Sequence, residues 1–187
     1  MPLRSLVTQL QETALTGELN ERSGRAERLL MRGAGRCSRA LVASALSQRR
    51  GAPLLVVVPT LEEAGRWTAL LELMGWTQAN LYPTSEGSPY EPFDPTSEIT
   101  WGQLQVLSDL LGDPDATNWA VVATERCLQP HLPPPDVLKT KTRTLRKGDE
   151  VDLEDLGETL AQLGYERVTT IEQEGSWSRR GDIVDIF

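Results

Sequence analysis

Apolar positions along this chain change their spacing several times, and each change marks an element. From Leu54 to Val58 they are continuous, Leu-Leu-Val-Val-Val, bounded by Gly51-Ala52-Pro53 and Pro59-Thr60. A short β-branched run of this kind predicts a strand buried on both faces, as in a parallel sheet. Upstream, Leu3 to Leu19 reads as a weak helix without caps, and Arg22 to Met31 as a second helical run leading into the turn Gly33 to Ala40. The helix resumes over Leu41 to Leu46 and stops at Arg49-Arg50-Gly51. Downstream, Thr60-Leu61-Glu62-Glu63 has the form of a capping box, threonine and glutamate satisfying each other's end amides. Ala64, Trp67, Leu71 and Met74 then make a core-facing stripe that Gly75 ends.

The alternation continues. Asn80 to Pro83 reads as a second strand. After the proline-rich acidic loop from Pro83 to Pro95, Asp94 and Pro95 open a helix over Thr96 to Leu111, with Ile99, Leu104, Leu107 and Leu111 on its apolar face. Tyr90 and Phe93 in that loop are expected to pack on the core, since Glu86, Glu91 and Asp94 around them would repel phosphates. Trp119 to Ala123 is a third strand, Thr124 caps a short helical turn, and Pro130 to Pro135 is a linker. The fold class is therefore α/β, a layered domain on a parallel sheet.

Past the linker the grammar changes to that of a small α+β module. Thr142 to Arg146 reads as a basic strand, Lys147-Gly148-Asp149 as a turn, and Leu153, Leu156, Leu160 and Leu163 as a helix stripe that Gly164 ends. Arg167 to Glu174 is β-rich, and Trp177 to Phe187 is a final strand. That strand stops without a partner, so the reading expects a truncated second domain: 1–137 is the first domain and 138–187 the start of the second.

Charge and chemistry refine this picture only where they are unevenly placed. The formal net charge of −8 argues against an overall nucleic-acid glove. Yet Arg22, Arg25, Arg28, Arg32, Arg36, Arg39, Arg49 and Arg50 crowd one short region, while Glu150 to Glu166 is strongly acidic. Two readings stand: solvated helix faces, or a DNA-contacting face with steep salt dependence. Cys37 and Cys127 lack metal spacing, no signal peptide is evident, and no apolar run could cross a membrane, so the expectation is a cytoplasmic protein with reduced thiols. The single histidine, His131, sits among prolines, which leaves no basis for a histidine triad or metal site. Asp182 and Asp185 fall on opposite faces of a strand and make a poor carboxylate pair.

The turn Gly33-Ala34-Gly35-Arg36-Cys37-Ser38-Arg39-Ala40 keeps the frame of a phosphate-binding loop but not its chemistry. Such a loop needs a second glycine, a lysine and a hydroxyl residue. Ser38, Arg39 and Ala40 stand there instead, so Gly33, Ser38, Arg39 and Ala40 form a degenerate loop not expected to function. Without the Mg²⁺-binding hydroxyl, catalysis is not expected of this region.

Gly175-Ser176-Trp177-Ser178-Arg179-Arg180-Gly181-Asp182-Ile183-Val184-Asp185-Ile186-Phe187 resembles a signature shared by the excision-repair protein UvrB and the bacterial transcription-repair coupling factors, Mfd. Leu163-Gly164-Tyr165-Glu166-Arg167-Val168 is similar to the segment that precedes it in both families. Ser88 to Pro95 and Ser38-Arg39-Ala40-Leu41 are similar to coupling-factor motifs. UvrB keeps an intact G-K-T loop and a tyrosine-rich hairpin; their replacement here points to the coupling factors, whose UvrB-like region is a non-hydrolysing copy. The resemblance covers roughly residues 28 to 187.

What the resemblance implies is specific. The first domain would have a degenerate helicase-type nucleotide-binding fold like UvrB domain 1a. The second, like UvrB domain 2, would bind UvrA and help hold the idle protein repressed through contacts with the rest of the parent chain. UvrA-contacting residues carry over to Arg167, Arg180 and Phe187, while Ser178 stands where UvrB has another arginine. RNA polymerase, DNA, ATP and Mg²⁺ would be handled by other domains of the parent, with no cofactor or metal here and no catalytic residue. The alternative is a UvrB-like nucleotide- or DNA-binding domain of an ATP-dependent repair helicase.

Overall fold

The computed structural model describes residues 3–25, 28–84, 98–112, 118–128, 132 and 134–187. The Tyr90–Phe93 loop, the Asp94–Pro95 helix start and His131 lie outside the described residues. Contacts divide the chain into two compact units, one of residues up to 84 with 102–128, the other of 98–101 with 132–187.

The N-terminal stretch expected as one uncapped helix is two, α1 (Leu3–Gln11) and α2 (Ala14–Gly24). The break is made by Thr13, whose side chain caps α2 by accepting from the Thr16 amide at 3.3 Å. Thr16 in turn donates to the Leu10 carbonyl at 2.6 Å, tying the two helix ends together. The helical run expected over Arg22 to Met31 is not continuous either. α2 ends at Gly24, and Leu30, 74% exposed, lies in irregular chain. Next come α3 (Arg36–Arg50), β1 (Leu54–Val58) and α4 (Leu61–Leu73). They are followed by β2 (Gln78–Leu81), α5 (Glu98–Gly112), β3 (Trp119–Thr124) and a 3-10 turn, Glu125–Leu128.

Two of the glycine stops read from the sequence have one geometry. After α4, the Gly75 amide bonds to Glu72 O and the Trp76 amide to Leu71 O. In the second unit, Gly164 and Tyr165 repeat this on Ala161 O and Leu160 O. Gly75 and Gly164 have φ of 89° and 90°, a conformation that costs glycine little and other residues more. The residue after each glycine turns inward, so Trp76 joins the first core and Tyr165 packs on the second.

The three strands form a parallel sheet in the order β1-β3-β2. β3, central, is buried from Ala120 to Thr124. On one face Val56, Val58, Ala120 and Val122 meet Val7, Ala40, Ala45, Ala64, Leu71, Met74 and Trp76 of the helical layer. On the other, Val121 and Ala123 pack with Tyr82, Cys127 and Val106 of α5. β1 departs from expectation: Leu55 and Val57, paired with Val121 and Ala123, are 57% and 44% exposed. An edge strand has a neighbour on one side only, and the packing on β3's second face does not bury β1 among the described residues. The apolar side of α5 is likewise Val106, Leu107 and Leu110, while Leu104 is exposed.

The second unit contains α6 (Pro135–Thr140), α7 (Leu153–Gln162), β4 (Glu166–Arg167), β5 (Ser176–Arg180) and β6 (Ile183–Ile186). α6 was not foreseen; Pro135 at its first turn fits, because proline supplies helical φ where no amide partner is needed. The basic strand expected over Thr142 to Arg146 is exposed irregular chain, closed by a turn in which Asp149 accepts from the Arg146 amide at 2.8 Å. Of the stretch expected to be β-rich, Arg167 to Glu174, only Arg167 lies in a strand, β4, and Trp177 to Phe187 is a hairpin rather than one strand. Gly181, at φ +65°, and Asp182 make its two-residue turn, so Asp182 is not on a strand face at all. The small sheet has the order β4-β5-β6, parallel then antiparallel, and Trp177 packs on Leu156 and Leu160 of α7. Asp152 caps α7 by accepting from the Glu154 and Asp155 amides, which hold its carboxyl below the ordinary carboxylate value.

Candidate partner-binding face

Strand register places the three residues carried over by resemblance. β5 and β6 pair Arg180 with Ile183 and Ser178 with Asp185, and the Phe187 amide bonds to Ser176 O at 3.0 Å. Residues opposite one another share a face, and alternate residues return to it. Arg180, Ile183, Asp185 and Phe187 therefore lie on one face of the hairpin. Ile183 and Phe187 are 63% and 58% exposed. Arg180 reaches diagonally to Asp185 at 3.2 Å, an exposed pair that holds it weakly. Among the described residues its ion-pair partner is Asp185, not the nearby Glu172, Glu174 or Asp182.

Arg167 lies on the opposite face. It is in register with Trp177, and its Cζ stands 5.3 Å from the centre of the Trp177 ring. The sequence reading thus names residues of both faces of one small sheet, Arg180 and Phe187 on the first and Arg167 on the second. It missed Ile183 as an exposed member of the first face. The Gly181-Asp182 dipeptide was the available signal, since a two-residue turn fixes which flanking residues align.

The glycine turn has its own geometry. Gly33 has φ +71°, and α3 begins at Arg36 with Gly35 as its N-cap, without a side-chain cap. Ser38 and Arg39 are exposed in the first helical turn, where the Arg39 amide is already bonded to Gly35 O at 3.0 Å. Ala40 is fully buried in the core. The Arg36 guanidinium grips Glu63 of α4 through Nε at 2.9 Å and through a second nitrogen. Glu63 therefore does not complete the capping box; Thr60 Oγ1 accepts from the Glu63 amide at 3.2 Å, but the carboxylate serves α3 instead. Other arginines of the same cluster fasten helices: Arg49 donates to Gln11 O, and Arg50 to the side chain and carbonyl of Asn20. Among the described residues no group of three or more acidic, histidine or cysteine side chains could hold a metal, and no helix is long and apolar enough to cross a membrane.

Comparison with known proteins converges on the second unit and then on the whole chain. A model of the UvrB interaction domain matches residues 144–187, which contain both arginines and the hairpin. The transcription-repair-coupling factor of Mycobacterium tuberculosis is 31% identical over 191 aligned positions, 100% of this chain and 15% of that protein. Its namesake in Bacillus subtilis is 27% identical over 159 positions, 84% of this chain and 13% of that protein. The Escherichia coli protein is 24% identical over 163 positions, 86% of this chain and 14% of that protein. The chain spans about 15% of the length of the curated relatives it matches. It belongs to the transcription-repair-coupling factor family, and its residues 144–187 match the UvrB interaction domain.

Proposed function

We propose that this segment is a recruitment module: its second unit captures UvrA for a parent protein that removes RNA polymerase stalled at a lesion. The observation that carries this reading is the coincidence of the interaction-domain match with a hairpin face on which Arg180, Ile183 and Phe187 stand exposed. Arginine and aromatic side chains dominate binding energy at protein interfaces, and a guanidinium offers a planar fork of donors to partner carboxylates. Arg180 can exchange its weak pair with Asp185 for such a partner at little cost.

The first unit, residues 1–137 in this reading, is a degenerate helicase-type fold that no longer handles nucleotide. In support, the Arg39 amide is committed within α3, Ala40 is a core residue, and Arg36 is engaged by Glu63. Residues 138–187 then belong to the UvrA-binding domain, which also contributes to holding the idle parent repressed through contacts within the parent chain. Nucleotide, Mg²⁺, DNA and RNA polymerase belong to other parts of that parent, and the segment works in the cytoplasm without a cofactor and without catalysis. The test is to present the purified chain with UvrA, Mg-ATP and duplex DNA in parallel at two salt concentrations. Saturable capture of UvrA alone is expected. Binding to DNA that falls steeply with salt, or Mg²⁺-dependent ATP binding with no UvrA capture, would replace this reading with a nucleic-acid or nucleotide module.

A further inference from the structure

We infer that Trp177 is a positioning residue for Arg167, holding its guanidinium in the attitude in which a carboxylate-bearing partner meets it. The inference rests on the reading of Arg167 as a partner contact and adds how that contact is prepared. An arginine on a two-residue strand has little to hold it, and a mobile side chain loses rotamer freedom when a partner fixes it. Here the backbone is fixed on both sides. The Glu166 amide bonds to Gly175 O at 2.8 Å and the Val168 amide to Trp177 O at 2.9 Å. The side chain is fixed by the indole, with Arg167 Cζ 5.3 Å from the ring centre. Among the described residues no carboxylate lies within ion-pair distance of Arg167, which itself remains exposed. Stacking on a ring leaves the edge of a guanidinium, where its donors lie, open to a partner.

The platform is itself held from below. Trp177 is 5% exposed and packs on Leu156 and Leu160. A Cβ at Gly157 of α7 would stand 2.9 Å from the far edge of the indole, closer than carbon atoms approach without displacement. The lack of a side chain at 157 therefore lets the ring lie against α7. Three positions distant in sequence, 157, 177 and 167, make one stack: bare helix surface, buried indole, exposed cation.

The experiment is a double-mutant cycle on capture of purified UvrA by the 187-residue chain, with Trp177→Phe, Arg167→Ala and their combination. Arg167→Ala is expected to weaken capture about 10-fold. Trp177→Phe, which keeps a smaller ring in the core, is expected to weaken it about 2–5-fold when Arg167 is present and not at all in the Arg167→Ala background. The Arg167 Nε–H resonance should also carry an upfield ring-current shift that Trp177→Phe reduces. Equal weakening by Trp177→Phe in both backgrounds would overturn the inference and leave Trp177 a core residue only. No effect of Arg167→Ala would instead remove the reading of Arg167 as a contact, and the inference with it.

Discussion

Glu63 turns its carboxylate away from the end of its own helix and accepts two hydrogen bonds from the guanidinium of Arg36, 27 positions earlier. The hydrogen bond from Arg36 is the main reason that the Glu63 carboxyl is held below its ordinary value of 4.5, and the same bond pushes the Arg36 guanidinium up. Glu63 binds its proton less tightly in the folded than in the unfolded chain. Its contribution is therefore present above pH 4.5 and lost as the pH falls through the lowered folded value. Arg36, pushed up by the same bond, stays charged at neutral pH, so the pair is intact there. Glu63→Gln should lower the urea midpoint at pH 7 and make its decline as the pH falls below 4.5 shallower than in the unaltered chain. Parallel pH profiles would show that the pair contributes no linkage.

Ser44 accepts from the indole Nε1 of Trp76 at 2.9 Å and points its own hydroxyl at Met74 Sδ, 3.6 Å away, all within the core. Ser44→Ala removes the acceptor and strands a buried donor. It should cost about 1–3 kcal/mol in urea unfolding, more than the loss of one solvent-exposed hydroxyl would. A cost below about 0.5 kcal/mol would mean that Trp76 finds another acceptor.

The two sides of β1 should respond differently to truncation. Val58→Ala, in the core, is expected to cost on the order of 2 kcal/mol, whereas Val57→Ala on the exposed side should stay within about 0.5 kcal/mol. Equal costs would show that the exposed side of the edge strand is covered in solution.

Arg180→Ala should weaken UvrA capture by roughly 1–3 kcal/mol with little change in melting temperature, because the pair it loses with Asp185 is exposed. Asp185→Asn frees the same guanidinium and should leave capture intact or tighter. Weaker capture with Asp185→Asn would assign the contact to the carboxylate rather than to the arginine.

At the glycine turn, isothermal titration with Mg-ATP should give no saturable heat. Replacing Ser38-Arg39-Ala40 by Gly-Lys-Thr should not restore a site by itself, since Arg36 remains bound to Glu63 and Ala40 lies in the core. A threonine at 40 would also place a hydroxyl in an apolar layer, which costs stability unless it is hydrogen-bonded. Mg²⁺-dependent saturation by the unaltered chain would overturn this expectation.

Much of the architecture was legible because it is written locally. Continuous apolar runs marked β1 and β3, whereas β2, expected over Asn80 to Pro83, lies two residues earlier at Gln78–Leu81 and has no such run. Gly51, Gly75 and Gly164 marked helix ends because a left-handed residue there is chiefly a property of glycine. The motif around Arg180 and Phe187 was legible as a resemblance, and the interaction-domain match falls on the same stretch. Where local signals competed, the reading failed. The Thr13 cap and the two-residue turn at Gly181-Asp182 each divided what periodicity alone had joined.

Other features were decided only by long-range placement. A strand's sequence states that it is apolar but not whether it will be central, so Leu55 and Val57 look like Val121 and Ala123 until the order β1-β3-β2 puts one pair at an edge. A capping box needs four residues, but whether its glutamate caps depends on Arg36 arriving from another helix. The placing of Arg167 and Arg180 on opposite faces, and of Arg167 over Trp177, follows from strand register between segments that share no local signal. Sequence spacing fixes what lies within a few residues along one element; which elements meet is set by the apolar surface that each of them must share with the others.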